Sequence, residues 1–230
     1  MQKKFPNTAG SLGMAIAEAI EVAKENEDTV YSLGSVLNHV LLHQTIIGQE
    51  VKKQLEKIGE KADIVIGCVG GGSNFGGIAL PFIPDELNGE KIELIGVEPT
   101  EVPSMVKGEY KYDYGDTGKQ TPLMKMHTLG SDFVPDAIYA GGLRYHAVAP
   151  IISLLIDKKL ISATSHEQKE CFEAAKLFAE TEGIIAAPES AHALKEAIEQ
   201  AKKNNNKTIV FNLSGNGLLD LAAYEKVLGL

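Results

Sequence analysis

Ile64-Val65-Ile66-Gly67-Cys68-Val69 runs directly into Gly70-Gly71-Gly72-Ser73-Asn74, and this stretch decides the fold. An uninterrupted apolar run of that length, closed by glycines, reads as a buried strand of a parallel sheet. The glycines then form a loop and a helix opens at Asn74 or Phe75. A loop of three glycines points several backbone N–H groups at one place, with no side chain to keep an anion away. The positive end of the following helix adds to that attraction, so the loop suits a phosphate ester. A tight strand-to-helix turn without a ligand is the plainer reading, but one such turn rarely needs three glycines, each of which costs backbone entropy. A dinucleotide fingerprint is met only loosely by Gly71, Ser73 and Gly76, and no Gly-Lys-Ser/Thr of a Walker loop follows.

Around this unit the chain alternates strands and helices. Lys91–Val97 and Thr208–Leu213 read as two more buried strands, and Ile161–Thr164 as a short one. Helical spacing runs over Ser11 to about Lys24, Val36–Ile58 as one long helix, Asn74 to about Phe82, and Ala147 to about Lys159. Further helices are predicted over His166–Glu182, Pro188 to about Asn204, and Leu218–Leu228. Thr29–Leu33 reads as a short strand or an extended connection. The Gly-, Tyr-, Asp- and Lys-rich residues from Gly108 to Thr121 lack period and read as a long excursion. The pattern predicts an α/β fold, a three-layer αβα arrangement around a parallel sheet. Loops 70–74 and 214–217 both follow strand carboxyl ends, the edge where such sheets bind ligands.

The bulk properties narrow the partners. In 230 residues, 44% are hydrophobic and 23% charged, ordinary values for a globular domain. A net charge of −9 and the lack of a basic run argue against nucleic acid and anionic membrane surfaces. No apolar stretch reaches the length of a membrane span. Met1-Gln2-Lys3-Lys4 is basic, but no apolar segment of a signal peptide follows it. The two cysteines, Cys68 and Cys171, fall on core patterns and read as reduced thiols, so a cytoplasmic location is expected.

Ser214, in Ser214-Gly215-Asn216-Gly217, is open to two readings. It can cap the last helix, or its hydroxyl can meet the ring nitrogen of a pyridine cofactor whose phosphate sits in the first loop. A serine there, unlike a carboxylate, leaves the nitrogen largely unprotonated, which favours elimination and replacement over transamination. His39 and His43, one helical turn apart, suit a metal or a polar helix face.

Taken together, these residues resemble the tryptophan synthase β chain, in its second, longer type. The resemblance rests on Gly70-Gly71-Gly72-Ser73-Asn74 and on Ser214-Gly215-Asn216-Gly217 with Asp220. It extends through Ser11-Leu12-Gly13, Gly34-Ser35-Val36-Leu37 and His43-Gln44-Thr45-Ile46-Ile47-Gly48. Gly141-Gly142-Leu143-Arg144-Tyr145-His146, Glu182-Gly183-Ile184-Ile185 and Pro188-Glu189-Ser190-Ala191-His192-Ala193-Leu194 complete it. The resemblance implies a fold type II, pyridoxal phosphate-dependent lyase that joins L-serine and indole into L-tryptophan and water. It implies that Gly70, Gly71, Gly72, Ser73 and Asn74 hold the cofactor phosphate, that Ser214 and Gly215 meet the ring, and that Glu189 lies near it. A first-turn carboxylate stabilised by the helix dipole explains Glu189 as well. Asp132 resembles an acid that contacts the serine substrate, and a turn-forming aspartate is the other reading. Backbone carbonyls of Gly70 and Phe133 would bind a monovalent cation. Asn216 departs from the histidine of the family and is given no role.

The family's Schiff-base lysine, in a His-Lys-x-Asn-type context, and its catalytic glutamate have no counterpart in this chain; Lys125, in Leu-Met-Lys-Met-His, is not such a residue. The chain therefore reads as the C-terminal, cofactor-binding portion over residues 1–230, with 1–35 part of the connection between domains. Its implied partners are the N-terminal half of the enzyme, a second copy in a homodimer, and the tryptophan synthase α chain. Two alternatives stand beside this: a related enzyme that β-eliminates serine or phosphoserine, and a non-catalytic or truncated phosphate-ligand domain. The exposed face of a half-enzyme is also expected to be apolar.

Overall fold

The computed structural model describes residues 8–230, so the basic Met1–Lys4 opening lies outside the described residues. The chain begins with α1 (Leu12–Glu25), whose cap Ser11 accepts the Met14 N–H at 3.2 Å. The run from Val36 to Ile58 is two helices, α2 (Asn38–Gln44) and α3 (Ile46–Lys57), and not the single one expected. The break lies at Thr45, whose hydroxyl donates to the Leu42 carbonyl at 2.6 Å and competes with the helical ladder. Residues 29–33 form no strand, in keeping with the extended-connection reading.

Next come β1 (Ile64–Cys68), α4 (Ser73–Ala79), a 3-10 turn (Leu80–Phe82) and α5 (Ile83–Leu87). Pro81 falls within the 3-10 turn and Pro84 within the first turn of α5, so together they bend the path; a proline tolerates such first-turn positions. Strand β2 (Glu93–Pro99) leads to β3 (Glu109–Tyr114) and β4 (Leu123–Thr128), which pair antiparallel from Glu109↔Thr128 to Tyr114↔Leu123. The stretch expected to be an aperiodic excursion therefore carries a hairpin strand. Lys125 lies on its exposed side, 4.3 Å from the Tyr110 ring centroid. The remaining elements are α6 (Pro150–Asp157), β5 (Ser162–His166), α7 (Gln168–Glu182), α8 (Pro188–Lys203), β6 (Ile209–Phe211) and α9 (Leu221–Leu228).

Four strands form a parallel sheet in the order β5-β2-β1-β6. Alternation along β1 and β2 sorts their side chains between two cores. Val65 and Leu94, with Val69 beyond the strand, face Phe75, Ile78 and Ile152 of α4 and α6. Ile64, Ile66, Cys68, Ile95 and Val97 face Ala193 and Ala197 of α8. Each large apolar side chain buried this way contributes roughly 1.5–3 kcal/mol. Helices on both faces give the three-layer αβα fold. β6 differs from its expected character: it is a half-buried edge strand, because among the described residues only β1 flanks it. Among the described residues no helix is long and apolar enough to cross a membrane.

Candidate active site

The carboxyl ends of β1 and β6 are neighbours in the sheet, and they bring the two Gly-rich loops together. Loop 70–72 turns out of β1 into α4, with Gly72 at φ 113°, a conformation open to glycine at little cost. Close packing fixes the loop on its other side. A Cβ on Gly70 would lie 2.4 Å from the Gly142 carbonyl oxygen, and one on Gly71 would lie 2.8 Å from Ser35 Oγ. The backbone N–H groups from Gly70 to Phe75 donate to no acceptor among the described residues. Such a run of free donors, at a helix N-terminus and without side chains at the glycines, fits a phosphate. By this test the residues fit the phosphate of pyridoxal phosphate.

Across the loop, Asn74 Nδ2 donates to Ser214 Oγ at 2.7 Å. Ser190, the residue after Glu189 on α8, clamps the same serine: its hydroxyl donates to the Ser214 carbonyl at 2.7 Å and accepts the Ser214 N–H at 3.0 Å. Asn212 Nδ2 donates to the Asn74 carbonyl at 3.2 Å, tying β6's end to α4. Ser214 itself is exposed at this edge, and it does not cap the following turn. That task falls to Asn216, whose side-chain oxygen accepts the Leu218 N–H at 3.1 Å. Gly215, at φ 80°, makes the turn between them.

Glu189 sits on the first turn of α8, half-buried, and accepts the Gly142 N–H at 2.9 Å. Beneath it Cys68 is fully enclosed; burial first, then the charge of Glu189, pushes its thiol up to about 12. It is an inert core residue, as is Cys171, also buried and free. Glu98, at the carboxyl end of β2, is wholly buried. Its carboxylate accepts from Ser104 Oγ and from the N–H groups of Met105 and Val106, while burial pushes it up to about 7.

Gly70, Gly71, Gly72, Ser73, Asn74, Glu189, Ser214 and Gly215 are thus gathered at one sheet edge. Asp132 is exposed and reaches Lys119 at 3.4 Å, with no hydrogen bond to the glycine loop. The Phe133 N–H donates to the Gly130 carbonyl at 2.9 Å, which closes a turn at residues 130–133. His39 and His43 are exposed, their ring centroids 6.4 Å apart, and no group of three or more His, Cys, Asp or Glu able to hold a metal occurs among the described residues. Ser35, Gly142, Ser190 and Asn212 enter the site without having been assigned to it from sequence. Three of them lie inside or beside quoted motifs, but their roles depend on pairings 24 to 138 residues distant, such as Ser190 with Ser214 and Asn212 with Asn74.

Known proteins resemble this chain in sequence and in fold. The tryptophan synthase β chain 2 of Thermotoga maritima is 61% identical over 223 residues, 95% of this chain and 53% of that protein. That of Aquifex aeolicus is 57% identical over 231 residues, 97% of this chain and 53% of that protein. The chain spans about half the length of the curated relatives it matches. Among solved structures, threonine deaminase isoform 2 from Solanum lycopersicum superposes with a TM-score of 0.65 at 19% identity, over 92% of this chain and 56% of that one. A fungal L-serine ammonia-lyase from Rhizomucor miehei gives 0.58 at 19% identity, over 81% and 56%. Both show the same α/β fold. The sequence profile described as "Pyridoxal-phosphate dependent enzyme" matches residues 6–215, and with the phosphate-fitting loop in place the chain belongs to that family.

Proposed function

We propose that this chain is the cofactor-binding portion of an enzyme that joins L-serine and indole into L-tryptophan and water. The observation that carries the reading is the meeting of the free N–H groups of Gly70–Phe75 with the Ser214 hydroxyl at one sheet edge. Identity of 54–63% to tryptophan synthase β chains over nearly the whole chain supports the choice of reaction. When bound, pyridoxal phosphate supplies a conjugated ring that stabilises negative charge at the substrate's α-carbon.

The chain's own residues bind and orient. The N–H groups of residues 70–75 and the start of α4 hold the phosphate without any lysine or arginine. Ser214 addresses the ring nitrogen with a neutral hydroxyl and puts no full charge there. Glu189, fixed by Gly142, places a carboxylate at the ring's side and disfavours a second anion near it. Gly142 and Leu143, packed on Gly70, shield the loop from water on one side. The base that moves the substrate proton would be the Schiff-base lysine, which the resemblance places in a segment outside this sequence.

A second reading, a phosphate-ligand domain inert by itself, is favoured by one observation. Lys125, which follows Leu123 and Met124 and precedes Met126, is exposed on the hairpin and lies over the Tyr110 ring. Titrating the chain with pyridoxal phosphate and then adding borohydride tests both readings. Saturable binding that inorganic phosphate competes away, with no adduct fixed by borohydride, is the expected result. A covalent adduct on a lysine of this chain would overturn the division of labour proposed here, and absence of binding would overturn the site.

A further inference from the structure

Ser214 has one hydroxyl proton, and its neighbours determine where that proton can go. Asn74 Nδ2 donates to Ser214 Oγ at 2.7 Å, so Asn74 cannot accept the proton through that contact. Ser190 spends its own proton on the Ser214 carbonyl at 2.7 Å. The 3.2 Å approach of the two hydroxyls therefore runs from Ser214 to Ser190, and it is long against the ~2.7–2.8 Å of a good O–H···O bond. The Ser214 proton is weakly engaged and free to swing to a better acceptor.

The orientation of Asn74 follows from burial. Its Oδ1 is buried, without a partner among the described residues, and lies 3.3 Å from where a Cβ on Gly67 would sit. The present orientation strands one carbonyl oxygen, and a buried amide N–H left without an acceptor is the rarer and costlier fault. The amide therefore faces Ser214 with its donor side.

We infer that Asn74 and Ser190 are positioning residues that present the Ser214 hydroxyl as a hydrogen-bond donor, selecting an unprotonated aromatic ring nitrogen as its partner. The inference rests on the reading of this edge as a pyridoxal phosphate site and adds the device that sets the ring's protonation state. No carboxylate takes part in the network, so a pyridinium would gain no charge partner within it.

The test compares, by equilibrium dialysis on the full chain, pyridoxal phosphate with its 1-deaza analogue, in which C–H replaces the ring nitrogen. Pyridoxal phosphate is expected to bind about fivefold tighter, the worth of one neutral hydrogen bond. Ser214→Ala brings the ratio to about one. Asn74→Asp replaces the donor with a carboxylate that captures the Ser214 proton, so the ratio collapses at neutral pH and binding of pyridoxal phosphate strengthens as pH falls. Ser190→Ala releases the Ser214 backbone and at least halves the ratio, which keeps the inference testable should Asn74→Asp fail to fold. A full ratio retained in both Asn74→Asp and Ser190→Ala, with loss in Ser214→Ala, overturns the positioning role and leaves the Ser214 assignment standing. A ratio of one in the unaltered chain overturns that assignment and the inference with it.

Discussion

The Glu189 carboxylate accepts the backbone N–H of Gly142 at 2.9 Å, which fastens the first turn of α8 to the loop covering the phosphate cradle. The same Gly142 presents its carbonyl to Gly70, where an added Cβ would come within 2.4 Å of it. Acid, cover loop and glycine loop are therefore packed in series, and a change at one end is felt at the other.

The series predicts unequal effects for two alanine substitutions. In Gly70→Ala the new methyl meets backbone, which has nowhere to go, so a loss of about 1–3 kcal/mol and of phosphate binding is expected. In Gly142→Ala the nearest atoms, 3.3 Å away, belong to the Glu189 side chain, which can move. That variant is expected to keep its melting temperature and its affinity for inorganic phosphate while binding pyridoxal phosphate less tightly. Equal phosphate affinity in Gly70→Ala and the unaltered chain would contradict the packing argument.

Much of this edge was legible because local rules acted alone there. An apolar run into three glycines has few solutions, and residues 64–74 took the expected strand, loop and helix. The hairpin was missed for the opposite reason. Tyr110, Tyr112 and Tyr114 do alternate with Lys111 and Asp113, but in so charged a run the period of two carries little hydrophobic contrast, and the pairing with residues 123–128 decides it. The helix break turned on one hydroxyl, Thr45, amid continuous helical spacing. Ser190 shows the limit most plainly. It looks like any small residue on a helix, and its value comes from Ser214, twenty-four positions away.

Arg144 illustrates a motif residue whose work is mechanical. Its guanidinium donates to four backbone carbonyls, those of Ala9, Gly10, Pro135 and Asp136, at 2.7–3.0 Å. A lysine's compact ammonium cannot span such a fork. Arg144→Lys is expected to cost about 2 kcal/mol. It should also speed hydrogen exchange through α1, whose Leu12 N–H is held by the Arg144 carbonyl, without touching β1. Uniform acceleration across the sheet would instead mean that Arg144 supports the whole fold.

His192 makes stability depend on pH. It is fully buried on α8, its Nδ1–H donates to the Pro188 carbonyl at 2.9 Å, and its Nε2 has no partner among the described residues. Burial holds the imidazole at about 4, below its ordinary 6.5. In that window the unfolded chain binds the proton and the folded chain does not. The contribution to stability is therefore complete above pH 6.5 and is lost as pH falls toward 4, by about 3 kcal/mol at most. Burial likewise lowers His146, which acts in the same direction. Glu98, raised to about 7, opposes this over the same range. The His192 contribution is therefore read as the difference between the unaltered chain and His192→Gln in urea denaturation from pH 4 to 8, and that difference should grow as pH rises. A difference constant with pH would assign the acid sensitivity to other groups.

The sheet has an open side at β6. Among the described residues β6 has a neighbour on one flank only, its three residues are half-buried, and the turn after it exposes Leu218 at 63% and Leu219 at 84%. An unpaired strand edge beside exposed leucines favours association, since both its N–H groups and its apolar surface gain from being covered. The chain alone is expected to self-associate in sedimentation velocity as its concentration rises. Leu218→Glu with Leu219→Glu should shift it to monomer at an unchanged melting temperature, because neither side chain supports the core. If the double variant associated as before, the contact would lie on another face, and β6 would be a free edge that charge and brevity already protect.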